Sequence, residues 1–223
     1  MRYLIQQLIQ QNILKTPLII EAFRKIDRKD FVQPINKDEA YGNYPLPIGY
    51  GQTISQPLTV AFMLELLQPQ PGDKILDVGA GSGWQTALLA YCVSQKTDEG
   101  KSRQEGANNS GKVYAVERIQ ELCDFGKANV AKLNYIQKGI AEFMCADGSK
   151  GLSDKAPFDK IIVAAAAEKV PEELKKQLKV GGRLVLPVGK YDQAIVRIDK
   201  VGEDKFKEER YPGFVFVPLI THK

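Results

Sequence analysis

The sequence predicts an α/β fold: a mostly parallel central sheet with helices on both faces, an antiparallel strand at the C-terminal end, and a helical extension in front. Three observations predict it. From residue 74 onward, strand-like and helix-like segments alternate, the pattern of parallel strands joined by helical crossovers. The segment Lys74-Ile75-Leu76-Asp77-Val78-Gly79-Ala80-Gly81-Ser82-Gly83-Trp84 is a short apolar strand that runs into three alternating glycines, with an apolar helical segment at 86–93 just beyond. Before it, Leu4, Ile5, Leu8, Ile9, Ile13 and Leu14 recur close to helical spacing.

Taken in order, the first helix lies within 1–14. Thr16-Pro17 then supplies an N-cap with proline at the first helical position, and Ile19, Ile20, Phe23 and Ile26 mark the buried side of the second helix. Residues 44–52 are rich in proline and glycine and are expected to be irregular, with a helix at 58–67 after them. Beyond the glycine turn, strands are expected at 113–117, 143–147, 160–164 and 183–188, and helices at 119–133 and 171–178. The last helix has Pro171 at its start, Glu172 and Glu173 in its first turn, Lys175, Lys176 and Lys179 late, and Gly181-Gly182 as a stop. A final pair, 194–201 and 214–219, has no long helix between its members and is expected to be antiparallel. Residues 96–110 hold one alanine and no larger apolar side chain, too little to offset the entropy of ordering, and are expected to be a solvated surface insertion.

At 223 residues the chain can form one domain with a substantial core. The net charge is +4, but the lysines are scattered among acids with no basic run interleaved with aromatics, which argues against dedicated nucleic-acid binding. No apolar run approaches the ~18 residues of a membrane span. Glutamines interrupt the apolar positions near the N-terminus, unlike a signal peptide, so a cytoplasmic protein is expected. A monomer is also expected. Cys92, Cys123 and Cys145 are few and widely spaced, which fits buried thiols in a reducing compartment better than a disulfide framework. The single histidine, His222, stands next to last, which leaves no imidazole for a catalytic base or a metal site.

The glycine turn narrows the ligand. A dinucleotide-binding fingerprint needs a third glycine where this chain has Trp84, and nothing here supplies the Gly-Lys-Ser/Thr of a phosphate-binding P-loop. What remains, D-x-G-x-G-x-G, resembles the first motif of class I S-adenosylmethionine methyltransferases and implies their Rossmann-like fold. The backbone of Gly79, Ala80, Gly81, Ser82 and Gly83 would pass beneath the cofactor, and Asp77 would help hold its ammonium group, directly or through water. In open α/β sheets ligands lie beyond the carboxyl ends of the strands. There Glu117, followed by Arg118, can accept from both ribose hydroxyls, and Asp147-Gly148 can meet the adenine amino group. Ser55, just before Pro57, is on structural grounds alone an N-cap for the helix that follows.

A wider resemblance is more specific. Pro45-Leu46-Pro47-Ile48-Gly49-Tyr50-Gly51-Gln52-Thr53-Ile54-Ser55-Gln56-Pro57, residues 77–83, Ala146-Asp147-Gly148, Ala156-Pro157-Phe158-Asp159, Gln177-Leu178-Lys179-Val180-Gly181-Gly182-Arg183-Leu184, Pro187-Val188-Gly189 and Phe216-Val217-Pro218-Leu219 span nearly the whole chain in order. Together they resemble the protein-L-isoaspartate O-methyltransferases. The resemblance implies methyl transfer from S-adenosyl-L-methionine to the α-carboxylate of L-isoaspartyl residues in damaged proteins or peptides, with S-adenosyl-L-homocysteine as product. It makes Ser55 the active-site and substrate-binding residue, sets Thr53 and Ile54 beside the cofactor, and puts Val217 on a strand lining the peptide groove. It also divides the single domain, 1–223, into N-terminal helices with the substrate segment (1–57) and a cofactor-binding core (58–223). Leu58 and Val60 stand where the family often carries His or Tyr. The alternative, a methyltransferase acting on a small molecule or RNA, would need an acceptor motif such as Asn-Pro-Pro-Tyr, which the chain lacks.

Overall fold

The computed structural model describes residues 1–96 and 111–220. All but one residue of the polar insertion, and His222, lie outside them. Two helices, α1 (Arg2–Gln10) and α2 (Pro17–Lys25), lead the chain, with Thr16 and Pro17 at the start of α2 as expected. After two 3-10 turns comes a hairpin, β1 (Leu46–Gly49) and β2 (Gln52–Ile54), then α3 (Pro57–Leu67). The hairpin corrects the expectation of irregular chain at 44–52. Its turn takes left-handed backbone at Gly49, Tyr50 and Gly51, so the glycines punctuate two short strands rather than abolish them.

The core is a seven-stranded sheet in the order β5-β4-β3-β6-β7-β8-β9. Its parallel part is β3 (Lys74–Val78), β4 (Lys112–Glu117), β5 (Ala141–Cys145), β6 (Phe158–Val163) and β7 (Leu178–Val188). The crossovers contain α4 (Trp84–Val93), α5 (Gln120–Ala131) and the short α6 (Glu172–Lys176). β8 (Ala194–Gly202) and β9 (Lys205–Pro212) close the sheet antiparallel. Because β4 and β5 lie on one side of β3 and β6 and β7 on the other, the strand order reverses at β3. A crevice therefore opens at the carboxyl ends of β3 and its neighbours. Side chains alternate across the sheet: Ile75 joins the core under α1–α5, and Leu76 and Val78 join the one under α6.

Several local expectations are corrected. The helix expected at 171–178 ends at Lys176, and Gly181-Gly182 lies inside β7 rather than stopping a helix. A Cβ on Gly182 would stand 2.8 Å from Lys179 O and 3.0 Å from Asp159 O, and the β6–β7 register shifts nearby, so the glycines serve a bulge. The strand partner of β8 is β9, not 214–219. β9 is mostly charged, as suits a solvated edge strand, and so lacks an apolar alternation to reveal it. The apolar residues of 214–219 instead pack over the sheet end, where Phe214 stacks on Phe62 with ring centres 5.1 Å apart. Val217 is thus on no strand; its carbonyl accepts from Ala166 N at 2.8 Å. Finally, Cys123 on α5 and Cys145 at the end of β5 form a disulfide, and only Cys92 is a buried free thiol. Sequence separation gave no hint of the pair, which tertiary packing brings together.

Candidate active site

The glycine turn is held against the sheet by its own backbone. Gly79 N and Ala80 N both donate to Val116 O, at 2.8 and 3.1 Å. Gly83 then caps α4 in left-handed backbone at φ +83°, where a Cβ would stand 2.7 Å from Gly126 O. Gly126 in turn would drive a Cβ to 2.5 Å from Gly81 O. Two glycines far apart in sequence thus let α5 lie directly against the turn. Gly81, at φ +51°, faces the other way: Ile48 Cδ1 at 3.3 Å is the one side-chain atom that its Cβ would meet.

Asp77 lies fully buried behind this turn. Its carboxylate accepts from Gln85 Nε2 at 2.8 Å and Thr86 Oγ1 at 2.6 Å, pinning the first turn of α4 to β3. Asp77 and Gly83 are not among the residues lining the crevice, whereas Gln85 is. The hydrogen bonds of Asp77 run to α4, so the side chain supports the turn from behind. Burial pushes the Asp77 carboxyl up to about 6, against the two donated hydrogen bonds and with the help of the Glu117 charge. Since this exceeds the ordinary carboxylate value near 4, the folded protein holds the extra proton between about pH 4 and 6, and the contribution to stability declines as pH rises through that window. Asp77→Asn, which can still accept from Gln85 and can donate to Thr86, is expected to melt at or above the wild-type temperature at pH 7.5 and to lose this pH dependence. Superimposable melting-temperature profiles from pH 4 to 8 would contradict it.

Glu117 ends β4 at the crevice. Its Oε2 accepts from Gly81 N at 3.1 Å and its Oε1 from Ile119 N at 3.0 Å, so both oxygens are fixed in place. Each retains acceptor capacity, the arrangement that two neighbouring ribose hydroxyls require. Glu117→Ala is expected to weaken S-adenosylhomocysteine binding by about 1.5–3 kcal/mol for each charge-assisted bond lost. Undiminished affinity by titration calorimetry would refute the assignment.

The third acid lies slightly farther along than expected. β5 ends at Cys145, and Asp147 caps the 3-10 turn that follows, accepting from Ser149 N at 2.9 Å. A Cβ on Gly148 would come within 2.6 Å of Val78 Cγ1, so the chain here forms a close floor to the crevice. Arg118 is exposed at the rim.

A further part of the lining comes from the β1–β2 hairpin and α3. Thr53, Ile54, Ser55 and Val60 form it, and Val217 and Leu219 from the C-terminal segment complete it. Ser55 does not cap α3. That helix starts at Pro57 with Gln56 as its N-cap, and the Ser55 hydroxyl has no hydrogen bond among the described residues. Leu58 and Val60 contribute no polar group: Val60 is buried, and Leu58 is tied through its backbone N–H to Asn43 Oδ1 at 3.0 Å. The structure therefore brings together Thr53, Ile54, Ser55, Gly79–Ser82, Glu117, Arg118, Asp147, Gly148 and Val217 around one crevice of about 880 Å³ including its open mouth. Sequence reasoning missed Gly126, whose role needs the approach of α5, and Arg28, which nothing in its neighbourhood distinguishes from the exposed Arg24.

The crevice suits a nucleoside bearing an amino-acid tail. The Glu117 carboxylate oxygens are fixed at its edge, Gly148 closes its floor against Val78, and Trp84, buried where a third glycine would stand, leaves no pyrophosphate turn. With the reversed strand order, this defines a class I S-adenosylmethionine-dependent methyltransferase. The family described as protein-L-isoaspartate(D-aspartate) O-methyltransferase matches residues 1–223, and the chain belongs to it. The chain is 44% identical over 218 residues to the protein-L-isoaspartate O-methyltransferase of Aeropyrum pernix, covering 97% of this chain and 78% of that one. It is 41% identical over 220 residues to that of Staphylothermus marinus, covering 98% and 93%. Among solved structures, a Plasmodium falciparum protein described as a protein-L-isoaspartate O-methyltransferase, in complex with S-adenosyl-L-homocysteine, matches with a TM-score of 0.83 over 98% of this chain and 97% of that one; at 24% identity it speaks for the fold. The protein is thus an enzyme that uses S-adenosylmethionine.

Proposed function

We propose that this crevice carries out protein-L-isoaspartate O-methylation with Ser55 as the residue that positions the acceptor. The protein esterifies the α-carboxylate of an L-isoaspartyl residue. S-adenosylmethionine, when bound, supplies an electrophilic methyl group and a sulfur leaving group. Glu117 holds the ribose side, Asp147 and Gly148 the adenine side, and the backbone of Gly79–Ser82 the connecting chain. The observation that carries the reading is Ser55: it lines the same crevice as Glu117 and the glycine turn, and no hydrogen bond among the described residues employs its hydroxyl. It can donate to one oxygen of an acceptor carboxylate while the other attacks the methyl carbon. An acceptor carboxylic acid with a pKa near 4 is already ionised at neutral pH, so no proton has to be removed. This agrees with a site that has no histidine among its described lining residues. Catalysis then rests on alignment, which in well-oriented reactions amounts to about 7–11 kcal/mol.

Val217 and Leu219 form the rim over which the rest of the peptide would run. The buried core that joins Leu4, Phe23 and Ile54 to Ile75 and Ile195 supports a single working domain. A cytoplasmic monomer acting on isoaspartyl proteins, with neither nucleic acid nor membrane as partner, completes the proposal. No described helix is long and apolar enough to cross a membrane. The Cys123–Cys145 disulfide requires a cytoplasm that tolerates structural disulfides, and fractionation with light scattering tests both location and state. The decisive experiment is incubation with methyl-labelled S-adenosylmethionine and paired peptides that differ only in isoaspartate or aspartate. Base-labile label in the isoaspartyl peptide alone is expected; equal labelling of both, or label only in RNA or a small molecule, would overturn the assignment.

A further inference from the structure

Arg28 is the most unusual charged residue outside the crevice. It begins a 3-10 turn after α2, and its side chain is wholly buried. Among the described residues no carboxylate pairs with it. Its guanidinium is occupied by carbonyls instead. Nη1 donates to Ala40 O at 2.8 Å and Gly42 O at 3.3 Å. Nη2 donates to Tyr44 O at 3.0 Å, Ile54 O at 3.4 Å and Ser55 O at 3.1 Å. The guanidinium carbon lies 5.5 Å from the ring centre of Trp84, which lines the crevice, while Nε has no acceptor.

A planar fork with donors in fixed directions can gather carbonyls from two separate strands of chain in a way that a lysine ammonium cannot. Here the two strands are the 40–44 coil and the 54–55 backbone that ends β2. The second carries the Ser55 hydroxyl. Burying an unpaired cation is costly, and a purely structural latch between two coils needs no charge. Burial lowers the guanidinium to about 10, which leaves it protonated at neutral pH. The charge is therefore present behind the very residue that meets an anionic acceptor.

We infer that Arg28 is a positioning residue for methyl transfer: by binding the Ile54 and Ser55 carbonyls it fixes Ser55 against the acceptor carboxylate, and its unpaired charge favours that anion in the crevice. The inference rests on the isoaspartyl reading. Apart from Thr53 and Ile54, the cofactor cradle is built elsewhere, on β3, β4 and the turn after β5, so S-adenosylhomocysteine affinity depends little on Arg28.

The test is a double-mutant cycle of Arg28→Lys and Ser55→Ala, with Arg28→Met as a charge-free companion, read as kcat and KM for an isoaspartyl peptide, calorimetric S-adenosylhomocysteine affinity and melting temperature. Arg28→Lys is expected to lower kcat/KM for the peptide about 10- to 100-fold with S-adenosylhomocysteine affinity within about 3-fold of wild type. Arg28→Met should raise the peptide KM further than Arg28→Lys does. The double variant should be little worse than Ser55→Ala alone, because Arg28 acts through Ser55. If Arg28→Met fails to fold, Arg28→Lys carries the cycle by itself. Multiplicative losses in the double variant, full peptide turnover in Arg28→Lys, or lost S-adenosylhomocysteine binding in Arg28→Lys each overturn the inference and leave a general structural role. A wild-type protein that does not methylate isoaspartyl peptide removes the isoaspartyl reading, and the inference with it; an active wild type with a multiplicative cycle removes the inference alone.

Discussion

Gly81→Val is expected to abolish measurable S-adenosylhomocysteine binding while leaving a folded protein. The residue has φ +51°, where a β-branched side chain costs about 1–2 kcal/mol. Its Cβ would crowd Ile48 Cδ1 at 3.3 Å, and both residues line the crevice. The strained turn would also pull Gly81 N from Glu117 Oε2 and so release one of the two bonds that aim that carboxylate. The hydrophobic core does not use the residue, so cooperative melting should persist. Gly126→Ala approaches the same turn from behind. Its Cβ, 2.5 Å from Gly81 O, would displace the turn without placing any atom in the crevice. Both variants are compared by titration calorimetry and circular dichroism. Wild-type affinity in Gly81→Val would show that no ligand passes close to this backbone.

Ser55→Ala is expected to slow methylation of an isoaspartyl peptide by about 10- to 10³-fold, the loss of one positioning bond of about 2–4 kcal/mol in the transition state. Affinity for S-adenosylhomocysteine should stay unchanged, since the cofactor-facing groups on β4 and the glycine turn are untouched. The fall should appear mainly in kcat, because a bond that steers the attacking carboxylate counts most when the methyl is in flight. Stability should barely move: the hydroxyl caps no helix and makes no internal hydrogen bond among the described residues. Above pH 6 the wild-type rate should show no ionisation of an essential base from this site. Full turnover in the variant would return Ser55 to a bystander of the β2–α3 junction.

Much of this architecture was legible in the chain. The apolar run ending at Val78 and the alternating glycines placed β3, the turn and α4, because a buried strand and a reversed backbone each demand a restricted set of residues. Glu117 could be placed at a strand end for the same reason. Where sequence reasoning went wrong, the local signal had two outcomes and distant chain chose between them. Gly181-Gly182 can stop a helix or bend a strand, and pairing with β6 selected the strand. Residues 214–219 are a continuous apolar run rich in Phe and Val, as in a buried strand, yet the charged β9 took the place beside β8, and the apolar residues went to the crevice. Ser55 before Pro57 could cap a helix, but the helix took Gln56 and left the hydroxyl free.

The sequence by itself determined the fold class, the alternation of strands and helices through the parallel part of the sheet, the kind of ligand and the family, because periodicity, glycine placement and contiguous motifs are local properties of the chain. Only the tertiary structure decided that Gly126 makes room for the glycine turn, that Asp77 bonds to α4, that Cys123 meets Cys145, and that Arg28 gathers the carbonyls behind Ser55. Each of these is a contact between residues 8 to 45 positions apart, such as Asp77 with Gln85 or Gly81 with Gly126. A close approach of that kind follows from how helices settle on the sheet, and that settling is set by the whole core rather than by any one segment.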